Sequence, residues 1–213
     1  MLAGQTSDDP AIRALVTNGG GLRKLAAADR AVAASDRKRA SADRRQAAAD
    51  RRQAQDDLQS AHFDSLTGVY MRDFGRVSLQ EAIDRSRSSA EPFVLAFVDV
   101  DGLKELNDSK GHAAGDALLQ TVGSVLQSKL RRGDPIARVG GDEFLCGLTN
   151  TELEVSQLRF EEIRAAVEHA AATASITVGL ASLGASDTLE DITARADIDM
   201  YARKPRRTRG NNH

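Results

Sequence analysis

Phe93-Val94-Leu95-Ala96-Phe97-Val98 is a continuous apolar run that ends in Asp99-Val100-Asp101. It is long enough for a buried strand and too short for a typical helix. Two further strand-like runs, Pro135-Ile136-Ala137-Arg138-Val139 and Glu143-Phe144-Leu145-Cys146-Gly147-Leu148, flank Gly140-Gly141-Asp142. Paired glycines between two such runs predict a tight hairpin in which glycine supplies positive φ. Ser175-Ile176-Thr177-Val178-Gly179-Leu180-Ala181 alternates β-branched residues in the manner of a strand. Helical spacing covers the intervals. Phe74, Val77, Leu79, Ala82 and Ile83 mark a helix up to about Arg87, and another contains Lys104 to Asn107. Asp108-Ser109-Lys110-Gly111-His112 reads as a turn, followed by a helix from Ala114 to Leu130 with Ala117, Leu118, Val122, Val125 and Leu126 inward. Two more helices span Glu152 to His169 and Leu189 to about Arg203. The order strand, two helices, hairpin, helix, strand, helix predicts an α/β sandwich with helices on an antiparallel central sheet.

Before this domain the pattern changes. From Leu22 to about Ser60 the chain is rich in Ala, Arg, Asp and Gln, with no Gly or Pro. Asp-Arg recurs every seven residues at Asp29, Asp36, Asp43 and Asp50, and alanine at Ala26, Ala33, Ala40, Ala47 and Ala54. Strong helix formers at a seven-residue period predict one long helix. Its stripe is weak, because the positions equivalent to Leu25 and Val32 become Arg39, Gln46 and Gln53. Two readings stay open: a single solvated stalk, or a weak two-helix coil whose exposed Asp-Arg pairs add only about 0.2–1 kcal/mol each. Residues 1–21 form a short N-terminal segment, ordered or disordered, with a short helix at Ile12 to Val16 ended by Asn18-Gly19-Gly20-Gly21.

Composition narrows the classes. A formal net charge of −2 provides no global basic field for nucleic acid. Cys146 is the only cysteine, so no internal disulfide forms, and its strand setting predicts a core thiol. No long apolar span suggests a membrane helix and no secretory signal is evident, so a cytoplasmic setting is expected. His62, alone at the joint between stalk and domain, is expected to pack or face solvent.

The chemistry concentrates in two acidic clusters. Adjacent carboxylates at Asp142 and Glu143 repel and need a counter-charge, most simply a divalent metal; the plain alternative is a solvated acidic turn. Asp99 stands where a buried strand ends, a position that faces a ligand crevice in open α/β sheets. If that strand lies beside the hairpin, Asp99 and Asp142 can share one ion. Oxygen ligands with few histidines and one cysteine favour Mg²⁺ (or Mn²⁺) over zinc.

Gly140-Gly141-Asp142-Glu143-Phe144, together with Asp99 to Asp108 and Gly111-His112-Ala113-Ala114-Gly115-Asp116, resembles the GGDEF domain of diguanylate cyclases. Asp64-Ser65-Leu66-Thr67-Gly68 resembles the motif that opens that domain. The likeness runs from about His62 to about Lys204, within a domain spanning 61–204. It implies a palm-like fold of the nucleotidyl cyclase type. It also implies condensation of two GTP into cyclic di-GMP by a homodimer, with Mg²⁺ bound. The resemblance makes Asp99, the Val100 carbonyl, Asp142 and Glu143 metal ligands, with Asp142, Lys104 and Glu143 catalytic. It assigns Asn107, His112, Asp116 and Lys204 to substrate, Asn107 and Asp116 reading guanine. Arg131-x-x-Asp134 resembles the family's product-inhibition site, and Arg138 is expected to be structural or an auxiliary contact.

The departures are C-terminal. Relatives follow the lysine with Gly-Arg-Asn and a short strand, whereas Lys204 is followed by Pro205-Arg206-Arg207-Thr208-Arg209 in a basic 205–213 tail. Thr208 stands where arginine is expected, and Pro205 should break the helix early. Phosphate grip and sheet-edge stability are therefore both in question. Leu103 replaces a usual aromatic, and Met71 an asparagine. These changes leave an alternative function, a weak or inactive module that binds cyclic di-GMP or GTP as a receptor. A third is a scaffold acting through its stalk.

Overall fold

The computed structural model describes residues 27, 30–53, 62–171 and 174–204, and the chain divides into two compact units, Met1–Asp57 and Leu58–His213. In the first unit, residues 30–53 are helical (α1), as the alanine-rich heptads predict, and all of them except Ala40 are exposed. Arg37 and Arg44 repeat one contact: each Nε donates to the carbonyl four residues back, on Ala33 and Ala40. The expectations for residues 1–26, for 54–61 and for the tail after Lys204 lie outside the described residues.

The second unit is built on a five-stranded sheet in the order β1-β3-β4-β2-β5. Its elements are β1 (Tyr70–Met71), α2 (Arg72–Ser89), β2 (Phe93–Asp101), α3 (Leu103–Lys110) and α4 (His112–Lys129). Then come β3 (Ile136–Arg138), β4 (Glu143–Thr149), α5 (Leu153–Ala170), β5 (Ser175–Ser182) and α6 (Leu189–Arg203). Every pairing is antiparallel except β1 with β3. Two residues with no periodicity of their own, β1 was not legible as a strand. The turn expected at 108–112 shrinks to one residue, Gly111, whose φ of 84° joins α3 directly to α4.

Helices cover both faces of the sheet, which explains why β2 is apolar without alternation. Val94, Ala96, Val98 and Val100 join a core with α4 and α5; Phe93, Leu95 and Phe97 join a second core with α2 and α6. On that second face α6 lies directly on β5. A Cβ on Gly179 would stand 2.0 Å from the Ala196 carbonyl oxygen and 2.1 Å from the Met200 nitrogen. Only glycine permits this approach, and it brings the C-terminal end of α6 to the end of the sheet.

Among the described residues β5 ends the sheet, and side chains engage its outward-facing backbone groups. Arg164 donates to the Ile176 carbonyl, Asp199 accepts from the Leu180 N–H at 2.9 Å, and Arg195 donates to the Ser182 carbonyl. Gly179→Ala is expected to lower the thermal midpoint by roughly 5–10 °C, because backbone rather than a mobile side chain must move aside. Calorimetry showing an unchanged midpoint would contradict the direct contact.

Candidate active site

The last cross-strand pair of β2 and β4 sets Asp99 opposite Glu143. Residues directly opposite in an antiparallel ladder project on one face with Cβ atoms about 4.5–5.5 Å apart, and like charges there repel. Beyond this pair the Val100 N–H donates to the Asp142 carbonyl at 2.9 Å, pinning the hairpin tip to β2. In an antiparallel strand the N–H and C=O of one residue point the same way, so the Val100 carbonyl also turns toward the hairpin. The Val100 side chain points into the opposite core. Asp99 is only 7% exposed.

The turn differs from expectation. Positive-φ glycines are found at Gly68, Gly102 and Gly111, and neither Gly140 nor Gly141 is among them. Gly140 instead packs closely on Glu143: a Cβ there would lie 2.3 Å from Glu143 Oε2, an end that can swing aside, and 3.2 Å from its Cβ. The Val139 and Gly140 N–H groups both point at the Glu143 carbonyl, at 2.9 and 3.4 Å, closing the turn.

Four further contacts were not legible in sequence. Arg138 bonds Asp64 Oδ2 at 3.1 Å and the Gly141 carbonyl at 2.7 Å, so the opening motif and the hairpin turn share one guanidinium. Burial pushes the Asp64 carboxyl up, but hydrogen bonds from Thr67 and Arg138 outweigh it and hold Asp64 below the usual carboxylate range. Thr177 on β5 donates to Asp101 at 2.8 Å, so a hydroxyl fixes Asp101 at the cleft it lines together with Asp99. Lys204, at the end of α6, pairs with Asp99 Oδ2 at 2.9 Å. Burial pushes the Glu143 carboxyl up, and the charges of Asp142, Asp99 and Asp197 push it further, against the opposing pull of Lys204.

Asp99, Val100, Lys104, Asp142 and Lys204 line one cavity of about 460 Å³, together with residues 101–103 and Glu105. Asn107 lies on α3 one turn beyond Lys104, and His112 and Asp116 stand exposed on the first turns of α4, outside this lining. The Asn107 amide is packed against Gly115, where a Cβ would collide with it, and its Oδ1 is buried without a partner. Arg131 and Asp134 line a separate cavity of about 350 Å³ with Phe63, Tyr70 and Gln127. Asp134 is engaged internally by the Arg131 N–H and by the N–H and hydroxyl of Thr149, and the exposed Arg131 guanidinium donates to the Thr149 carbonyl at 3.3 Å. Cys146 is a core thiol as expected, pushed up by burial. His62 packs on Phe74 with ring centroids 4.0 Å apart.

The family model described as diguanylate cyclase, GGDEF domain, matches residues 61–210. The chain belongs to this family. Among curated relatives, diguanylate cyclase DgcP of Pseudomonas aeruginosa is 33% identical over 153 residues, 68% of this chain and 23% of DgcP. Diguanylate cyclase TpbB of the same organism is 34% identical over 159 residues, 70% of this chain and 36% of TpbB. The chain thus spans well under half the length of either relative. The GGDEF domain of DgcB from Caulobacter crescentus, solved with c-di-GMP, superposes with a TM-score of 0.63 at 27% identity over 67% of this chain and 86% of that one. Diguanylate cyclase SiaD from Pseudomonas aeruginosa, solved with its activator SiaC, gives 0.62 at 27% identity over 90% of this chain and 80% of that one.

The donor set fits the divalent ion that such a GGDEF site implies. Among the described residues no three His, Cys, Asp or Glu side chains form a ready-made cluster. Mg²⁺ does not require one, since it is held by one or two carboxylates plus waters and substrate phosphates. Asp99, Asp142 and the Val100 carbonyl are the oxygen donors here that would supply such a partial shell. No helix among the described residues is long and apolar enough to cross a membrane.

The raised Glu143 carboxyl makes a prediction with a definite sign. A folded-state value above the unfolded one favours the fold below the ordinary glutamate range, and that contribution is lost as pH rises through the folded value. Glu143→Gln in chelator at pH 7 is expected to raise the thermal midpoint by about 1–3 °C, and the gain should vanish near pH 4. A variant less stable than the parent at pH 7 would contradict the repulsion.

Proposed function

We propose that the chain is a diguanylate cyclase: a 3′-hydroxyl of one GTP attacks the α-phosphorus of another, pyrophosphate leaves, and a second such step closes cyclic di-GMP. The observation that carries this reading is the placement of Asp99, Val100, Lys104, Asp142 and Lys204 around one cleft at the end of β2. Asp99, the Val100 carbonyl and Asp142 would hold Mg²⁺ or Mn²⁺, with Glu143 aiding a second ion or orienting the nucleotide. When bound, the ion supplies charge neutralisation at the phosphates and lowers the cost of losing the hydroxyl proton. Asp142 assists that deprotonation, and Lys104, on the first turn of α3, steadies the phosphates.

Guanine is read on the α3–α4 pair. Asp116 accepts from guanine N1–H and N2–H₂, and the unpartnered Asn107 amide serves the neighbouring edge, with His112 at the border. Adenine lacks that donor pair and would leave the carboxylate unmatched, at a cost of about 1–3 kcal/mol. Each chain holds one nucleotide, so the reaction needs a homodimer. The α1 stalk is the element that would pair two copies or receive a regulator. The exposed Arg131 guanidinium, with Asp134, is the inhibitory product site. The setting is the cytoplasm, where GTP is made and Cys146 stays reduced.

A receptor reading is favoured by one observation, the replacement of the expected residues after Lys204 by Pro205 and its basic followers. Incubation with GTP and Mg²⁺ separates the two: cyclic di-GMP formation supports the enzyme, whereas tight product binding without turnover supports the receptor. Asp142→Ala should lower kcat at least ~100-fold while sparing product binding at Arg131. Turnover that survives this substitution would refute the assigned metal site.

A further inference from the structure

Lys204 lies beside a carboxylate that is already committed in the reading above. Its ammonium donates to Asp99 Oδ2 at 2.9 Å, inside the cleft and on the sheet face that carries Glu143. The sequence supplies a reason for this aim. A residue before proline is kept out of the helical region, and Lys204 precedes Pro205. Lys204 accordingly has φ −56° and ψ 129°, while its N–H still donates to the Met200 carbonyl. Helix α6 stops at Arg203, and its close seat on Gly179 fixes where that end falls.

Taking Asp99 as a cation ligand, the reading on which this step rests, we propose that Lys204 is a built-in counter-ion for Asp99. It occupies Asp99 until a divalent cation arrives, and it then transfers to the triphosphate of the incoming nucleotide. The ammonium and a divalent ion compete for the same carboxylate, so the free ion alone binds weakly. The triphosphate relieves that competition by offering Lys204 another anion, which makes ion and nucleotide binding mutually reinforcing. The lysine thereby guards the cleft against loading with metal in the absence of substrate.

The test is Mn²⁺ titration of the nucleotide-free full chain, followed by electron paramagnetic resonance, for the parent and for Lys204→Gln, Lys204→Arg and Asp99→Asn. Circular dichroism confirms that each variant is folded. Lys204→Gln is expected to bind Mn²⁺ about tenfold or more tightly than the parent, and Lys204→Arg, which keeps the charge, to stay near the parent. Asp99→Asn should lose the site. If Lys204→Gln binds no more tightly while Asp99→Asn loses binding, the counter-ion role is overturned and the metal-site assignment stands. If Asp99→Asn binds as the parent does, the metal-site assignment itself is overturned.

Discussion

Two carboxylates face each other across the last rung of the β2–β4 ladder, and the end of the sheet is arranged around that repulsion. Asp99 and Glu143 share one face, Asp142 follows at the hairpin tip, and Asp197 adds its charge from α6. A sheet built for stability alone would not end this way, since like charges opposite one another destabilise a ladder. The arrangement persists because cations are brought to it: Lys204 directly, and Lys104 from the first turn of α3. Such local frustration is the expected mark of a site shaped for charge rather than for folding.

The remainder of the domain holds this cluster still. Burial of the sheet on both faces fixes the register of β2 against β4 and β5, and a slip of one residue would turn Asp99 into the α4–α5 core. The Val100–Asp142 backbone bond and the Arg138 contacts lock the hairpin tip from two sides. Through Arg138 the turn is also tied to Asp64, in the motif that opens the domain. The close seat of α6 on Gly179 fixes the reach of Lys204. Rigid strands and one helix end therefore aim the groups, while Asn107, His112 and Asp116, proposed to meet the base, sit on the more exposed α3–α4 pair.

Much of this was legible in the residues. The apolar run before Asp99 reads as a strand because six consecutive apolar residues suit only a strand covered on both faces. Helix α6 reads from Leu189 to Arg203, its observed extent. The convergence of residues 99 and 142 rested on adjacency of β2 and the hairpin, which the topology provides. What stayed hidden was long-range or steric. Neither β1 nor the pairing of Arg138 with Asp64, 74 residues away, leaves a local pattern. The hairpin glycines were misjudged because glycine in a turn suggests backbone freedom, whereas neither has positive φ and Gly140 packs closely on Glu143. The Lys204–Asp99 pair spans 105 residues, and only the seating of α6 reveals it.

A cation shared by oxygens of β2 and the hairpin tip would be visible directly. Crystals grown with Mn²⁺ and 3′-deoxy-GTP, which lacks the attacking hydroxyl, would locate the ion by anomalous scattering. The expected map has a manganese peak bounded by the Asp99 carboxylate, the Val100 carbonyl and the Asp142 carboxylate. A map with nucleotide bound and manganese only at other residues would contradict it.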